Sequence, residues 1–219
     1  MNPIAWIIDF IVHIDAHLKD IIAMFGAWTY AILFLIVFAE TGLVVTPFLP
    51  GDSLLFAAGT FAALGQLNIW AVWAVLYVAA VAGDNTNYLI GRTLGPRILA
   101  NSNGRLLKRD YLDMTAAFYE RHGGQTLILA RFVPIIRTFA PFMAGVGRMR
   151  YLRFLAFSLG SGFAWVTGFT MLGFFFGNLP WVEHNFTLAI LGIIALSLTP
   201  GVYHYVQHRI SVRRSRSST

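Results

Sequence analysis

The sequence predicts an all-α polytopic membrane protein, and three observations support that prediction. Hydrophobic residues make up 57% of the 219-residue chain and charged residues only 12%, against about a quarter in soluble domains. Several apolar runs reach the roughly 20 residues that cross a bilayer as a helix. Lysine and arginine cluster in short segments beside those runs, which is how membrane topology is encoded. The chain is therefore interpreted as a single membrane domain, 1–219.

The first predicted element is an amphipathic helix over about residues 4–20, in the stretch MNPIAWIIDFIVHIDAHLKD. Its apolar residues fall largely on one helical face, and Asp9, His13 and Asp20 lie off that face. This pattern is typical of a helix lying in the membrane interface. No cleavable signal peptide is expected, because a basic leading segment is missing and Asp9 and Asp15 interrupt the apolar run.

Two apolar regions, 27–67 and 126–147, contain both helix breakers and charges. The predicted breakers are Pro47, Pro50 and Gly51 in the first region and Pro134 and Pro141 in the second. Proline removes a backbone donor and clashes with the preceding helical turn. Non-helical backbone at membrane depth must be buried in protein or line a water-filled cavity. We therefore expect each region to form a re-entrant helical hairpin.

Three uninterrupted runs are predicted to span the membrane: 69–90, about 154–176, and an additional C-terminal span over about 186–206. Basic residues follow the first of these spans, follow the second broken region, and form a tail over 207–219. Segment 178–185 contains no lysine or arginine. The positive-inside rule places the basic segments, including the C-terminal tail, in the cytoplasm and 178–185 outside. The two hairpins would then enter from opposite faces.

The order of these elements predicts an inverted repeat. An interfacial helix, a hairpin and a span occur over about residues 4–90, as 4–20, 27–67 and 69–90. The same order recurs over about 106–177, as 106–121, 126–147 and 151–177, with the opposite orientation. Inverted repeats whose broken helices meet near the bilayer midplane are typical of transporters.

The two broken regions carry charges of opposite sign. Glu40 and Asp52 lie in the first, and Arg131 and Arg137 lie in the second. A charge at the bilayer centre costs about 2.5–3.5 kcal/mol on insertion scales, so these groups need partners, water or a ligand. Arginine suits phosphate because its planar fork binds in a bidentate manner, and carboxylates near arginine suit proton coupling. Alternatively, the four groups form structural ion pairs that hold the hairpins together.

A weaker candidate is the polar cluster GDNTNYLIGR, where four side chains could form a gate or a second polar layer: Asp84, Asn87, Tyr88 and Arg92. Helix packing explains its glycines equally well. His13/His17 and His204/His208 have a spacing that can bind metal, but no third ligand lies nearby in the sequence. The chain also has no cysteine, so neither a metal site nor a cofactor is predicted.

Several motifs together resemble the DedA family of bacterial inner-membrane proteins, also called SNARE-associated Golgi or VTT-domain proteins. They are FLPGDSLLFAAG, GDNTNYLIGR, YERHGGQTLILARFVPIIRTFAPFMAGVGRM and WVTGFTMLGFFFG. The resemblance implies paired re-entrant hairpins, an inner-membrane location and lipid transport dependent on the proton motive force. For bacterial members it implies return of undecaprenyl phosphate across the cytoplasmic membrane. The family's essential acids correspond to Glu40 and Asp52, and its essential arginines to Arg131 and Arg137.

The leading functional hypothesis is a lipid-phosphate flippase whose partners are a membrane lipid and protons. The alternatives are a phospholipid scramblase and a proton-coupled transporter of small solutes or cations. A membrane lipid phosphatase is less favoured because no pattern of lysine, arginine and two histidines is found. The chain is therefore not expected to be an enzyme, and nucleic acid is not expected as a partner. The oligomeric state stays open.

Overall fold

The computed structural model describes residues 24–43, 51–101, 115–116, 119–120, 123–132, 134–177, 179, 188 and 192. Regular structure in these residues is entirely helical, which confirms the all-α prediction. The helices are α1 (Trp28–Gly42), α2 (Gly51–Ala63), α3 (Ile69–Asn101), α4 (Thr126–Leu129), α5 (Pro134–Val146) and α6 (Tyr151–Phe176). Short 3-10 turns at Gly123–Gln125 and Ala130–Phe132 flank α4.

Several predictions lie outside the described residues. They concern the interfacial helix 4–20, the tail 207–219, the breakers Pro47 and Pro50, nearly all of the C-terminal span 186–206, and most of 106–121.

Two helices in the described part of the chain are long and apolar enough to cross a membrane. They are Ile69–Gly95 within α3 and all of α6, which correspond to the spans predicted at 69–90 and 154–176. Helix α3 continues to Asn101, so Arg92 and Arg97 lie in this helix and not in a connection after it. An apolar run predicts where a helix can be in lipid, but the helix itself can extend beyond that run.

The first broken region contains two short helices in place of one span. Helix α1 has 15 residues and α2 has 13, or about 22 and 20 Å, against about 30 Å of hydrocarbon. The backbone N–H of Asn68 donates to the Tyr30 hydroxyl at 2.9 Å, which places the start of α1 beside the start of α3. Gly42, at the other end of α1, packs closely on Gly83 of α3. Helix α1 therefore runs along the first half of α3.

The second broken region contains α4, a 3-10 turn and α5. Helix α5 begins at Pro134, but Pro141 lies inside it, so the prediction that Pro141 breaks the helix was wrong. Two nearby carbonyl groups of α5 accept hydrogen bonds from side chains: Thr138 O from Asn87 Nδ2 at 2.8 Å and Ala140 O from the Tyr119 hydroxyl at 2.9 Å. These bonds tie the turn around Pro141 to α3 and to Tyr119, although the carbonyl that loses its helical donor to Pro141 is that of Arg137.

The helix that follows each break packs on a long helix from the other half of the chain. Helix α2 packs on α6, and α5 packs on α3. Glycines bring the backbones together: a methyl group added at Gly173 would meet the carbonyl oxygen of Phe56, and one added at Gly145 would meet that of Tyr88. As a result, the start of α2 and the start of α5, which follow the two breaks, lie near each other between α3 and α6.

Candidate functional site

Arg137 binds the two acidic residues of the first broken region. Its guanidinium group donates from Nη2 to Glu40 Oε1 and from Nη1 to Asp52 Oδ1 at 2.7 Å. Glu40 is near the end of α1, Asp52 is in the first turn of α2, and Arg137 is in the first half of α5. The guanidinium group of Arg137 therefore links the end of α1, the start of α2 and the first half of α5.

Gly51 is needed beside this group for steric reasons. A side-chain carbon at position 51 would overlap the Glu40 carboxylate, so any other residue there would force Glu40 to move from its position beside Arg137. Gly51 is the first residue of α2, where it was predicted to interrupt the helical region.

Arg131 binds a different set of partners. Its Nη2 donates to Asp84 Oδ2 on α3, and its Nε donates to Ser161 Oγ on α6 at 3.1 Å. The same Asp84 oxygen accepts a hydrogen bond from Ser158 Oγ at 2.7 Å. The Arg131 group thus contains one carboxylate and two serine hydroxyls, all supplied by the two long helices.

Trp165 on α6 contacts both arginines. The Arg131 guanidinium carbon lies 5.2 Å from the centroid of its ring, and that of Arg137 lies 5.0 Å away. Both distances are within the range of cation–π attraction. The indole Nε1 also donates to Asp52 Oδ1 at 2.7 Å. A single buried indole therefore joins the two arginine groups.

The five charged residues are largely removed from solvent. Glu40 is 3% exposed, Asp84 5% and Arg131 6%. Three carboxylates face two guanidinium groups, so the fully ionised group carries a formal charge of −1. Charges buried in an apolar setting are tolerated when they are paired and hydrogen-bonded, and an unpaired carboxylate there tends to take up a proton instead. The arrangement can therefore bind an anion, a proton or both.

Three further side chains of α3 extend this polar region. Asn87 Nδ2 donates to Thr41 O of α1 at 3.0 Å as well as to Thr138 O of α5, so one amide connects the two broken regions. Tyr88 donates its hydroxyl hydrogen to Met149 O at 2.5 Å and accepts a hydrogen bond from Arg92 Nη1 at 2.9 Å. Asn87 thus contacts the site, whereas Tyr88 and Arg92 connect α3 to the segment before α6.

The structure brings together all four charges that the sequence singled out, but in two groups and with an additional acid. Asp84 was placed in the weaker polar cluster, and it is the carboxylate partner of Arg131. Sequence reasoning missed Ser158, Ser161 and Trp165, because they are uncharged residues within the apolar run that predicts α6. Their spacing of three and four residues puts them on one face of α6, which is a signal that could have identified them.

In the described part of the chain, no three histidine, aspartate or glutamate side chains are grouped so that they could hold a metal ion.

Comparison with known proteins identifies the family of this chain. The family model of the VTT domain matches residues 49–175, more than half of the chain. Over 217 residues the chain is 52% identical to Protein DedA of Escherichia coli strain K12, covering 98% of this chain and 99% of that protein. The chain belongs to the DedA family. The resemblance carried by the sequence motifs is thereby confirmed.

Other relatives of this chain are named as membrane proteins. The chain is 45% identical to an uncharacterized membrane protein of Mycobacterium leprae, covering 76% of this chain and 75% of that protein. It is 32% identical to the inner membrane protein YghB of Escherichia coli strain K12, covering 82% and 79% respectively. No solved structure matches the chain significantly. With the two long apolar helices, these relatives indicate a membrane protein.

Proposed function

We propose that this DedA family protein carries a lipid phosphate across the cytoplasmic membrane, with undecaprenyl phosphate as the expected cargo, and that transport is coupled to protons. The observation that carries the proposal is the buried group of Glu40, Asp52 and Asp84 with Arg131 and Arg137, enclosed by apolar helices. Arginine forks bind phosphate oxygens in the geometry in which they bind carboxylates. Each carboxylate therefore occupies a position that a phosphate oxygen could take.

The proposal includes two re-entrant hairpins related by an inverted repeat. Helices α1 and α2 are too short to cross the bilayer, and Tyr30 and Asn68 hold the ends of that region at the start of α3. Gly124, before α4, packs against Arg153 near the start of α6. Because Tyr88 bonds to Met149, the start of α6 lies toward the far end of α3. Two hairpins entering from opposite faces would explain these contacts.

Proton coupling follows from competition for the guanidinium groups. When a phosphate binds Arg137, Glu40 and Asp52 lose a charged partner while remaining in an apolar environment. Uptake of a proton then neutralises the freed carboxylate at lower cost than leaving it charged. Small rocking of one hairpin against the other would expose the loaded site to the opposite face.

Cation transport is less well supported by this arrangement. Each of the three carboxylates is already engaged with an arginine, so an entering cation would meet two fixed positive charges. A phospholipid scramblase uses the same anion-binding chemistry but needs no gradient, and the experiment below separates it from a coupled flippase.

The test uses purified protein in liposomes that carry undecaprenyl phosphate in one leaflet. Appearance of the headgroup on the other face is followed with and without a proton gradient, for wild type, Arg131→Ala and Arg150→Ala. Arg150 is an exposed arginine just before α6, so it controls for loss of a positive charge alone.

We expect gradient-sensitive appearance that is lost in Arg131→Ala and retained in Arg150→Ala. Appearance that is indifferent to the gradient would identify a scramblase. No appearance in wild type, with a control flippase active in the same liposomes, would contradict lipid-phosphate transport.

A further inference from the structure

The Arg131 group has the donors that a phosphate requires, independently of Arg137. Asp84 Oδ2 accepts from a guanidinium nitrogen and from the Ser158 hydroxyl. Arg131 Nη1 is buried and makes no hydrogen bond to the described residues. One more oxygen could therefore be bound there without displacing another partner. Asp84 thus holds the position of an anion in a pocket of arginine and serine donors.

The two arginine groups lie at different levels along α6. Ser158 contacts the carboxylate of Asp84, and Trp165 contacts that of Asp52. The two helix positions that supply these carboxylate contacts are seven residues, or about 10 Å, apart, although both guanidinium groups also contact Trp165. Ser158 is closer than Trp165 to the start of α6, which follows the basic residues that the positive-inside rule assigns to the cytoplasm.

Trp165 lies beside both arginines and therefore connects the two positions along α6. Both guanidinium groups lie within 5.2 Å of its ring centroid, so an anion leaving one arginine comes within reach of the other. The ring attracts both cations but binds no anion through its face, because the face of an aromatic ring is electronegative. The Trp165 ring therefore lies between the two anion positions and does not compete with either arginine for the anion.

We propose that Arg131, Ser158 and Ser161 form a second phosphate station, closer to the cytoplasm than Arg137, whose resting occupant is the carboxylate of Asp84. The inference rests on the proposed function and adds that a phosphate headgroup passes from Arg137 to Arg131 in two steps. In the second step the phosphate displaces Asp84 and accepts hydrogen bonds from Arg131 and the Ser158 hydroxyl. The Ser161 hydroxyl also donates to the phosphate once it turns away from Ser158 O, to which it donates at 3.3 Å. Return of Asp84 to Arg131 then releases the headgroup.

The experiment measures equilibrium binding of farnesyl phosphate, a short prenyl phosphate, to detergent-purified protein. The same variants are assayed for translocation in the liposomes above. The variants are Asp84→Asn, the double variant Ser158→Ala with Ser161→Ala, and Thr170→Val. Thr170 is a buried residue of α6 whose hydroxyl has no hydrogen bond to the described residues, so Thr170→Val removes a hydroxyl from the same helix outside both stations.

Removing the competing charge in Asp84→Asn should tighten farnesyl phosphate binding about tenfold, equivalent to about 1.4 kcal/mol, and slow translocation because release is impaired. The double serine variant should weaken binding several-fold, and Thr170→Val should match wild type. A purely structural Asp84 would give weaker binding and lower thermal stability, because a partner of a buried arginine is lost.

The outcomes separate this inference from the proposed function. If wild type binds and translocates but Asp84→Asn binds no tighter, the second station is contradicted and the proposed function stands. If wild type binds neither farnesyl phosphate nor inorganic phosphate, both are contradicted. If inorganic phosphate binds as tightly as farnesyl phosphate and responds equally to the variants, the station is supported and the lipid cargo is contradicted.

Discussion

Arg137 and Arg131 are both buried arginines with carboxylate partners, but different parts of the fold supply those partners. Arg137 is held by Glu40 and Asp52, which lie next to the break between α1 and α2. Arg131 is held by Asp84 and Ser161, which project from the long helices α3 and α6. The ion pairs of Arg137 therefore form only when the two broken regions meet, whereas the partners of Arg131 are supplied by the long helices α3 and α6.

This difference suggests a division of roles. A contact between two short broken helices can be made and lost with little rearrangement, which suits a group that opens to admit a ligand. A contact against two long packed helices keeps its geometry, which suits a group that receives the ligand. Four predictions test this comparison, from the largest expected effect to the smallest.

The largest effect is expected from lysine substitution at the two arginines. Arg137→Lys keeps a positive charge but cannot bridge two carboxylates as the guanidinium fork does. A lost charge-assisted hydrogen bond is worth about 1.5–3 kcal/mol, so liposome transport should fall at least about tenfold. Arg131→Lys can keep its pairing with Asp84 and should lose less.

Equal losses in Arg137→Lys and Arg131→Lys would remove the distinction between the two groups. Wild-type transport by Arg137→Lys would contradict the bidentate role of this residue.

Asn87→Ala should separate the broken regions that the Arg137 group needs. The substitution removes the donor shared by Thr41 O and Thr138 O, and an unsatisfied buried polar group costs about 1–3 kcal/mol. The melting temperature in detergent should fall clearly. Thr86→Ala is the matched control, because the Thr86 hydroxyl donates to Ala82 O of its own helix; a similar drop there would refute the bridging role of Asn87.

Gly173→Ala should strain the α2–α6 interface that carries Asp52 and Trp165. The added methyl group would meet the Phe56 carbonyl oxygen, and overpacking costs about 1–3 kcal/mol. At Gly168 on the same helix, an added methyl group meets no described atom within 4 Å, so Gly168→Ala should keep the melting temperature or raise it. Circular dichroism melts of both variants give the comparison, and an unchanged Gly173→Ala would mean that the two helices do not pack this closely.

Trp165→Phe should have the smallest effect. An aromatic ring remains beside both guanidinium groups, and only the hydrogen bond from Nε1 to Asp52 is lost, while Asp52 keeps its ion pair with Arg137. Transport should fall several-fold. Trp73→Phe loses an indole hydrogen bond to an uncharged partner, Thr167 Oγ1; a transport loss of the same size there would show that Trp165 has no particular role.

Within the described residues, the sequence was sufficient to locate the long helices and the broken regions and to single out most of the charged residues of the site. Continuous apolar runs located α3 and α6, since lipid requires long uninterrupted helices. Prolines and glycine between charged residues located the broken regions, and α2 and α5 begin at Gly51 and Pro134. The cost of burying charge singled out Glu40, Asp52, Arg131 and Arg137 before any contact was known.

The partners of these charges could not be derived in the same way. Periodicity shows which residues share a helix face, but not which helix that face meets, so Asp84 could not be assigned to Arg131. Ser158, Ser161 and Trp165 are uncharged and lie in an apolar run, where small residues usually indicate close packing. Pro141 shows the limit of local rules, because it lies inside α5, in a turn that Asn87 and Tyr119 tie to neighbouring residues.

The surplus of one carboxylate over the arginines has an electrical consequence for the proposed transport cycle. The fully ionised empty site has a formal charge of −1 and becomes neutral when it binds one proton. With a bound phosphate monoester of charge about −2, the total is about −3, and three protons are needed for neutrality. Protons would then travel inward with the anion, and the charge moved per cycle would stay small. Such a carrier responds mainly to the pH difference across the membrane, and only weakly to the voltage.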